Sequence, residues 1–213
     1  MSDEHAVAEM PGPPALDPIG ARHGLRLRHW RADDERDVAA VLAGVSDPEF
    51  LRWNTMPQPI LDEAAVVAFI HRRAQAWRLG SAVSFCVTAA NDDTPIGQIG
   101  LHAIDRAGCS ATVGYWVLPE ARGRGVATGS LDMITSWAFA TLPLHRIDLK
   151  HAAGHDASCA VAERCGFAHE GTLRGAMLAA APARGFRDAH LHARLATDPR
   201  PDLLPEPSEG GGS

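Results

Sequence analysis

Val113-Gly114-Tyr115-Trp116-Val117-Leu118-Pro119-Glu120-Ala121-Arg122-Gly123-Arg124-Gly125-Val126-Ala127-Thr128 is the stretch on which the fold turns. Ala111 to Leu118 reads as a strand, with Tyr115 and Trp116 on opposite faces, and Pro119 stops it because it has no N–H to give a ladder. A helix face follows at Val126, Leu131, Ile134 and Ala138. Arg122 to Ala127 therefore sits where unpaired amides and the positive end of a helix dipole converge, which is a place for an anion. Glycines let the backbone come close to a phosphate at positive φ, and the small Ala127 leaves the helix start open. Arg122 and Arg124 oppose the dipole unless something negative neutralises them, as a pyrophosphate would. The same residues also fit a Gly-rich turn with two solvated arginines. Other glycine motifs fit worse: Thr128 stands where a dinucleotide fingerprint needs Gly or Ala, and there is no Gly-Lys-Ser/Thr phosphate loop.

Working outward, Leu25 and Leu27 suit a first strand, Ala32 to Leu42 a first helix and Asp62 to Leu79 a second, closed by Gly80. Val83, Phe85 and Val87 alternate as a strand that forms an antiparallel meander with Ile96 to Ile104 and Ala111 to Leu118. After the central helix come a strand from His145 to Lys150, a short helix from Asp156 to Cys165, and a strand pair, Phe167 to Leu173 and Gly185 to Leu195. The order β-α-α-β-β-β-α-β-α-β-β gives an α/β (α+β) fold, a central mixed, largely antiparallel sheet flanked by helices.

The 213 residues fit one domain, with 46% hydrophobic and 22% charged residues as in an ordinary globular protein. We read residues 1–22 and 198–213 as mobile tails around a domain at 23–197, since both ends are rich in proline and small or charged residues. The net charge of -6, without any dense basic run, argues against nucleic acid and anionic membranes as partners. Cys86, Cys109, Cys159 and Cys165 are scattered, with no C-x-x-C pair and no histidine at zinc-finger spacing, so no metal site and no disulfide framework is expected. Neither a signal peptide nor a spanning segment is evident, and a cytoplasmic location is expected.

Three motifs carry a resemblance. Val113 to Thr128 resembles the G-Y-W-(h)-x-P-x-x-(R/Q)-G-x-G-x-(A/G)-T stretch of GNAT acetyltransferases, more closely their RimJ/RimL-like branch. His155-Asp156-Ala157-Ser158, then Ala162 to Phe167, is similar to N-x-x-S followed by (E)-(K/R)-x-G-F. Glu170 to Arg174 with Gly185 to Asp188 is similar to the branch's last two strands. The likeness runs from about Leu25 to Leu195, in the right order throughout.

The resemblance implies acetyl-CoA as donor. The backbone of Val117 and Leu118 should pair with the pantetheine arm, while the segment from Arg122, Gly123, Arg124 and Gly125 through Val126, Ala127 and Thr128 holds the pyrophosphate. Ser158 should protonate the departing thiolate; its plainer use is to help cap its helix. Trp53, Tyr115, His151 and Met177 fall in the acceptor region. Trp53 there would either stack on the acceptor or pack the second helix. Of Tyr115 and Trp116, at least one belongs in the core. Two departures stand out. His155 replaces the usual Asn of the cofactor contact, and Thr112 and Met177 stand where related enzymes carry a carboxylate, leaving no obvious general base.

An α-amine with pKa near 7.7 to 8 is roughly a tenth neutral at pH 7, whereas a lysine near 10.4 is neutral in about one molecule per few thousand. A site without a carboxylate base is therefore expected to acetylate the α-amine of a protein or peptide. The alternatives are a small amine, such as an antibiotic or metabolite, and a non-catalytic CoA-binding module. Related proteins are monomers or homodimers, and the sequence does not choose between the two.

Overall fold

Alternation along one strand builds the two faces of the molecule. Val83, Phe85 and Val87 turn one way into a core shared with Leu131, Ile134 and Ala138, while Cys86 turns the other way to join Val41, Val66 and Ile70. The computed structural model describes residues 18–54, 60–180 and 185–203. In chain order these form β1 (Ile19–Arg22), β2 (Leu25–Arg28), α1 (Glu35–Ser46), α2 (Pro48–Trp53), α3 (Glu63–Arg78), β3 (Val83–Ala89), β4 (Pro95–Asp105) and β5 (Ser110–Val117). A 3-10 turn (Pro119–Ala121), α4 (Val126–Thr141), β6 (Arg146–Ala152), α5 (Asp156–Arg164), β7 (Ala168–Leu178) and β8 (Phe186–Leu195) follow.

The strands make one eight-stranded mixed sheet in the order β1-β2-β3-β4-β5-β6-β8-β7. Every neighbouring pair is antiparallel except β5 with β6. That parallel pairing runs only from Ser110↔Arg146 to Val113↔Leu149. Beyond it β5 continues along β4 to Val117, and β6 continues along β8 to Ala152. The two central strands part there and leave a gap between their ends.

Several elements differ from expectation. The sheet starts earlier, because Ile19–Arg22 folds back on β2 inside the stretch read as a tail. It is held there by Arg22 and His23, whose side chains meet the buried carboxylate of Asp132 on α4. The opposite tail also begins in contact, with Arg200 donating to Ser136 at 3.0 Å; residues 1–17 and 204–213 lie outside the described residues. Helix α1 starts at Glu35 rather than Ala32, since Asp34 is the cap and accepts from the Arg36 amide. Helix α2 was not foreseen. It has only six residues, capped by Asp47 with Pro48 at its first turn, too short for a periodic signal.

Gly44 is where α1 meets the sheet. A Cβ there would lie 2.5 Å from the Trp116 ring, which is itself packed on Trp30. Gly44→Ala is expected to cost about 1–2 kcal/mol, as overpacking of about 1–3 kcal/mol outweighs the helix propensity gained. The check is a thermal midpoint lowered by several degrees, on the scale of about 2–4 °C per kcal/mol for a chain of this size.

Candidate active site

The parting of β5 and β6 opens a cavity of about 430 Å³. Its walls are α2, the end of β5, the Arg122–Thr128 turn, the end of β6 and the start of α5. Strand alternation fixes which backbone groups face it. The Leu118 N–H points to β4 and donates to the Ile96 carbonyl at 3.0 Å, so the N–H and C=O of Val117 point the other way, into the gap. The Val117 carbonyl accepts from Arg122 Nε at 3.1 Å. Leu118 is buried and its amide is committed, so of the two residues expected to pair with a pantetheine arm only Val117 faces the gap with its N–H.

The turn ends as anion sites do. Gly123 and Gly125 have φ of 73° and 76°, and Gly125 is the N-cap of α4, with no side chain capping the helix. Ala121 and Arg122 spend their amides inside the turn, on Leu118 and Pro119. Among the described residues, the amides of Gly123, Arg124 and Gly125 make no backbone hydrogen bond of normal geometry outside the helices and strands, and no side chain caps the first turn of α4. The first turn of α4 holds no acidic residue, so the dipole there also lacks a counter-charge from the chain. Gly123, Gly125, Val126, Ala127 and Thr128 all line the cavity.

The two arginines separate. Arg122 lines the cavity but forms an ion pair with Asp47, so it is a strut between this turn and the cap of α2 rather than a free cation. Arg124 is exposed and lies outside the cavity wall. Burial alone would raise the Asp47 carboxyl. The Arg122 guanidinium and the Phe50 amide, which donates at 2.8 Å, outweigh it and hold the group below the ordinary carboxylate range. Asp47→Ala removes both the strut and the cap and should cost about 2 kcal/mol, from a cap of about 1 and a half-exposed charged bond of about 1. Because the folded value is the lower one, the contribution is complete above about pH 4 and fades as pH falls through the folded value. Denaturation curves of wild type and Asp47→Ala should therefore converge on acidification.

Ser158 and Tyr115 meet across the gap. Ser158 is buried in the first turn of α5, and the Tyr115 hydroxyl donates to its Oγ at 3.3 Å. Burial pushes the phenol up to about 12, so it remains a donor. With that donor filling one lone pair, the Ser158 proton is free to point into the cavity.

The residues expected around an acceptor do not all meet at the cavity. Trp53 lines the cavity, stacked on the His155 ring with centroids 4.5 Å apart and planes 7° apart, and donates to Glu49 at 2.6 Å. His155 is thus an aromatic partner as well as the N-cap position of α5. Glu49 is a lining carboxylate that the sequence reading missed, since it belongs to the unforeseen α2. His151 lines the cavity too, and burial takes its imidazole down to about 4, so it is neutral near pH 7. Met177 is not brought to the cavity; it sits on β7 opposite Arg187, whose guanidinium donates to the carbonyls of Arg52 and Trp53. No metal site is expected from cysteine and histidine spacing; in space, His151, Cys159, His190 and His192 place ligand atoms within 4.8 Å of one another. Among the described residues no helix is long and apolar enough to cross a membrane.

Known proteins share this frame. YdaF of Bacillus subtilis (strain 168), provisionally named a ribosomal N-acetyltransferase, is 37% identical over 83 residues, 39% of this chain and 45% of that protein. RimL, a ribosomal L7/L12 α-N-protein acetyltransferase solved with coenzyme A, superposes with a TM-score of 0.74 at 20% identity, covering 84% of this chain and 98% of its own. The microcin C7 self-immunity acetyltransferase MccE, solved with acetyl-CoA and AMP, gives 0.73 at 20%, covering 84% and 98%. At such identities the two structures establish the fold alone. The model of the acetyltransferase (GNAT) domain matches residues 24–168, the span that builds both strand ends and the Arg122–Thr128 turn. The chain belongs to the GNAT acetyltransferase domain family.

Proposed function

We propose that the chain transfers the acetyl group of acetyl-CoA to the α-amine of a protein or peptide N-terminus. The amine nitrogen attacks the thioester carbonyl and the C–S bond breaks. The nitrogen of the tetrahedral adduct releases one proton to solvent water, the coenzyme A thiolate gains one from Ser158, and the Ser158 alkoxide is reprotonated from water, so no net proton is left on the protein. The glycine turn at positive φ and the start of α4, without a side-chain cap or an acidic residue, support the donor half of this reading, since such a helix N-terminus matches a diphosphate.

One observation carries the acceptor half. Among the described residues Glu49 is the single carboxylate lining the cavity, and it is engaged by the Trp53 indole. The internal stretches outside the described residues, 55–59 and 181–184, contain no Asp or Glu. A site with so little base favours an amine that arrives neutral. At pH 7 the neutral fraction of an α-amine exceeds that of a lysine by roughly 10²-fold. Labelled acetyl-CoA offered to matched peptides, one with a free α-amine and no lysine, one with a blocked terminus and one lysine, should show a rate ratio of that order. Faster labelling of the lysine peptide, or transfer to small amines alone, would reject the assignment.

A further inference from the structure

Behind the candidate active site, and sharing His151 with its wall, lies a knot of imidazoles beneath α5. His151 on β6 is directly opposite His190 on β8, and His192 is two residues further along β8, so all three share the sheet face that α5 covers. Cys159 reaches down to them from α5, with its Sγ 3.5 Å from His151 Nε2 and 3.3 Å from His190 Nδ1.

We propose that His151, Cys159, His190 and His192 form a closed tetrahedral site for a divalent zinc-class ion that fastens α5 to β6 and β8. The donor set is three imidazole nitrogens and one sulfur with no carboxylate, which suits zinc and excludes magnesium and calcium. In a tetrahedron with metal–nitrogen bonds of about 2.0–2.1 Å and metal–sulfur bonds of about 2.3 Å, neighbouring ligand atoms lie about 3.3–3.6 Å apart. Both Cys159 contacts already have that separation.

Two further observations point to a ligand. His151 Nδ1 lies 3.0 Å from the Ala152 carbonyl, which can only accept. The proton is therefore on Nδ1, and the Nε2 lone pair faces Cys159, an orientation usual for metal-bound histidine. His192 is fully buried, and neither ring nitrogen meets a hydrogen-bond partner of normal geometry, although the Phe167 backbone lies near enough to favour the charged ring. A buried imidazole left in that state is costly unless something supplies its missing partner. His190 and Cys159 are only partly buried, which leaves an entry path. Four protein ligands leave no open position, so the ion would be structural, holding the helix that carries Ser158.

The full-length chain, stripped of metal and titrated with cobalt(II), provides the test. We expect one equivalent bound, with the visible absorption of a tetrahedral ion and a sulfur-to-cobalt charge-transfer band, and about one zinc per chain after expression in zinc-supplemented medium. Cys159→Ser should abolish the charge-transfer band and weaken binding by more than about 100-fold, the upper end of what even an outer-shell partner costs. His190→Ala, at a half-exposed position, should weaken binding similarly without disturbing the fold. Absence of any cobalt spectrum, an octahedral spectrum without the charge-transfer band, or equal affinity in the Cys159→Ser/His190→Ala double variant would overturn the proposal. These readouts are independent of acetyl transfer.

Discussion

Ser158→Ala is expected to lower kcat by about 10²–10³-fold, the lower part of the range for loss of a general acid, while the KM for acetyl-CoA changes little. The reason for the lower part is chemical. A thiolate whose conjugate acid has a pKa near about 8.5 leaves without much help in water. Inside a cavity walled by Tyr115 and α5, however, an unprotonated sulfur would be a poorly solvated anion, so a proton delivered at that point still matters. The variant also strands the Tyr115 hydroxyl, which now donates to Ser158, and should lose about 1–3 kcal/mol of stability for that reason. Tyr115→Phe separates the two effects, because Ser158 keeps its own proton and the loss in kcat should be much smaller. Rates measured at saturating acetyl-CoA and acceptor decide the matter, and a Ser158→Ala enzyme with wild-type kcat would remove Ser158 from the chemistry.

Ala127→Glu should move stability and donor binding in opposite directions. Ala127 is in the first turn of α4, where no acidic residue now meets the dipole, so a carboxylate is expected to raise stability by about 0.3–1 kcal/mol. The same carboxylate would occupy the anion position next to the open amides. Losing two charge-assisted hydrogen bonds at about 1.5–3 kcal/mol each implies acetyl-CoA binding weakened by about 10²–10⁴-fold. Calorimetric titration of coenzyme A beside a thermal melt tests both halves. A variant that binds the donor normally would show that the diphosphate sits elsewhere.

The Arg122–Thr128 turn was legible as a candidate anion site because it is written in local backbone chemistry. Pro119, Gly123, Gly125 and the small Ala127 lie within nine residues, and their meaning does not depend on what packs around them. Arg122 shows the limit of that logic: its charge suited a phosphate, yet its partner proved to be Asp47, 75 residues away in sequence. The acceptor half depended on such distant meetings. Glu49 and Trp53 belong to a helix of six residues that leaves no periodic trace. Met177 could not be placed by counting, because β7 shifts register against β8 between His169 and Gly171 and again between Leu173 and Met177. The histidine knot was half visible, as His190 and His192 alternate on one strand, but Cys159 and His151 join it only through cross-strand pairing and helix docking.

Where β5 leaves β6, the molecule carries an inward-facing seam instead of an outer rim. An ordinary unpaired strand can recruit its like from a neighbouring molecule and so invites aggregation. Here Leu149 to His151 stand across the opening and α5 closes the far side, so a flat partner with neighbours of its own has no way in. On the proposed reading, an extended chain with peptide-like groups would lie along the free edge of β5 and bridge the two strands beyond Val113 and Leu149. Amide exchange at Tyr115 and Val117 should therefore slow when donor is present, and the donor would serve as a strut of the sheet as much as a reagent.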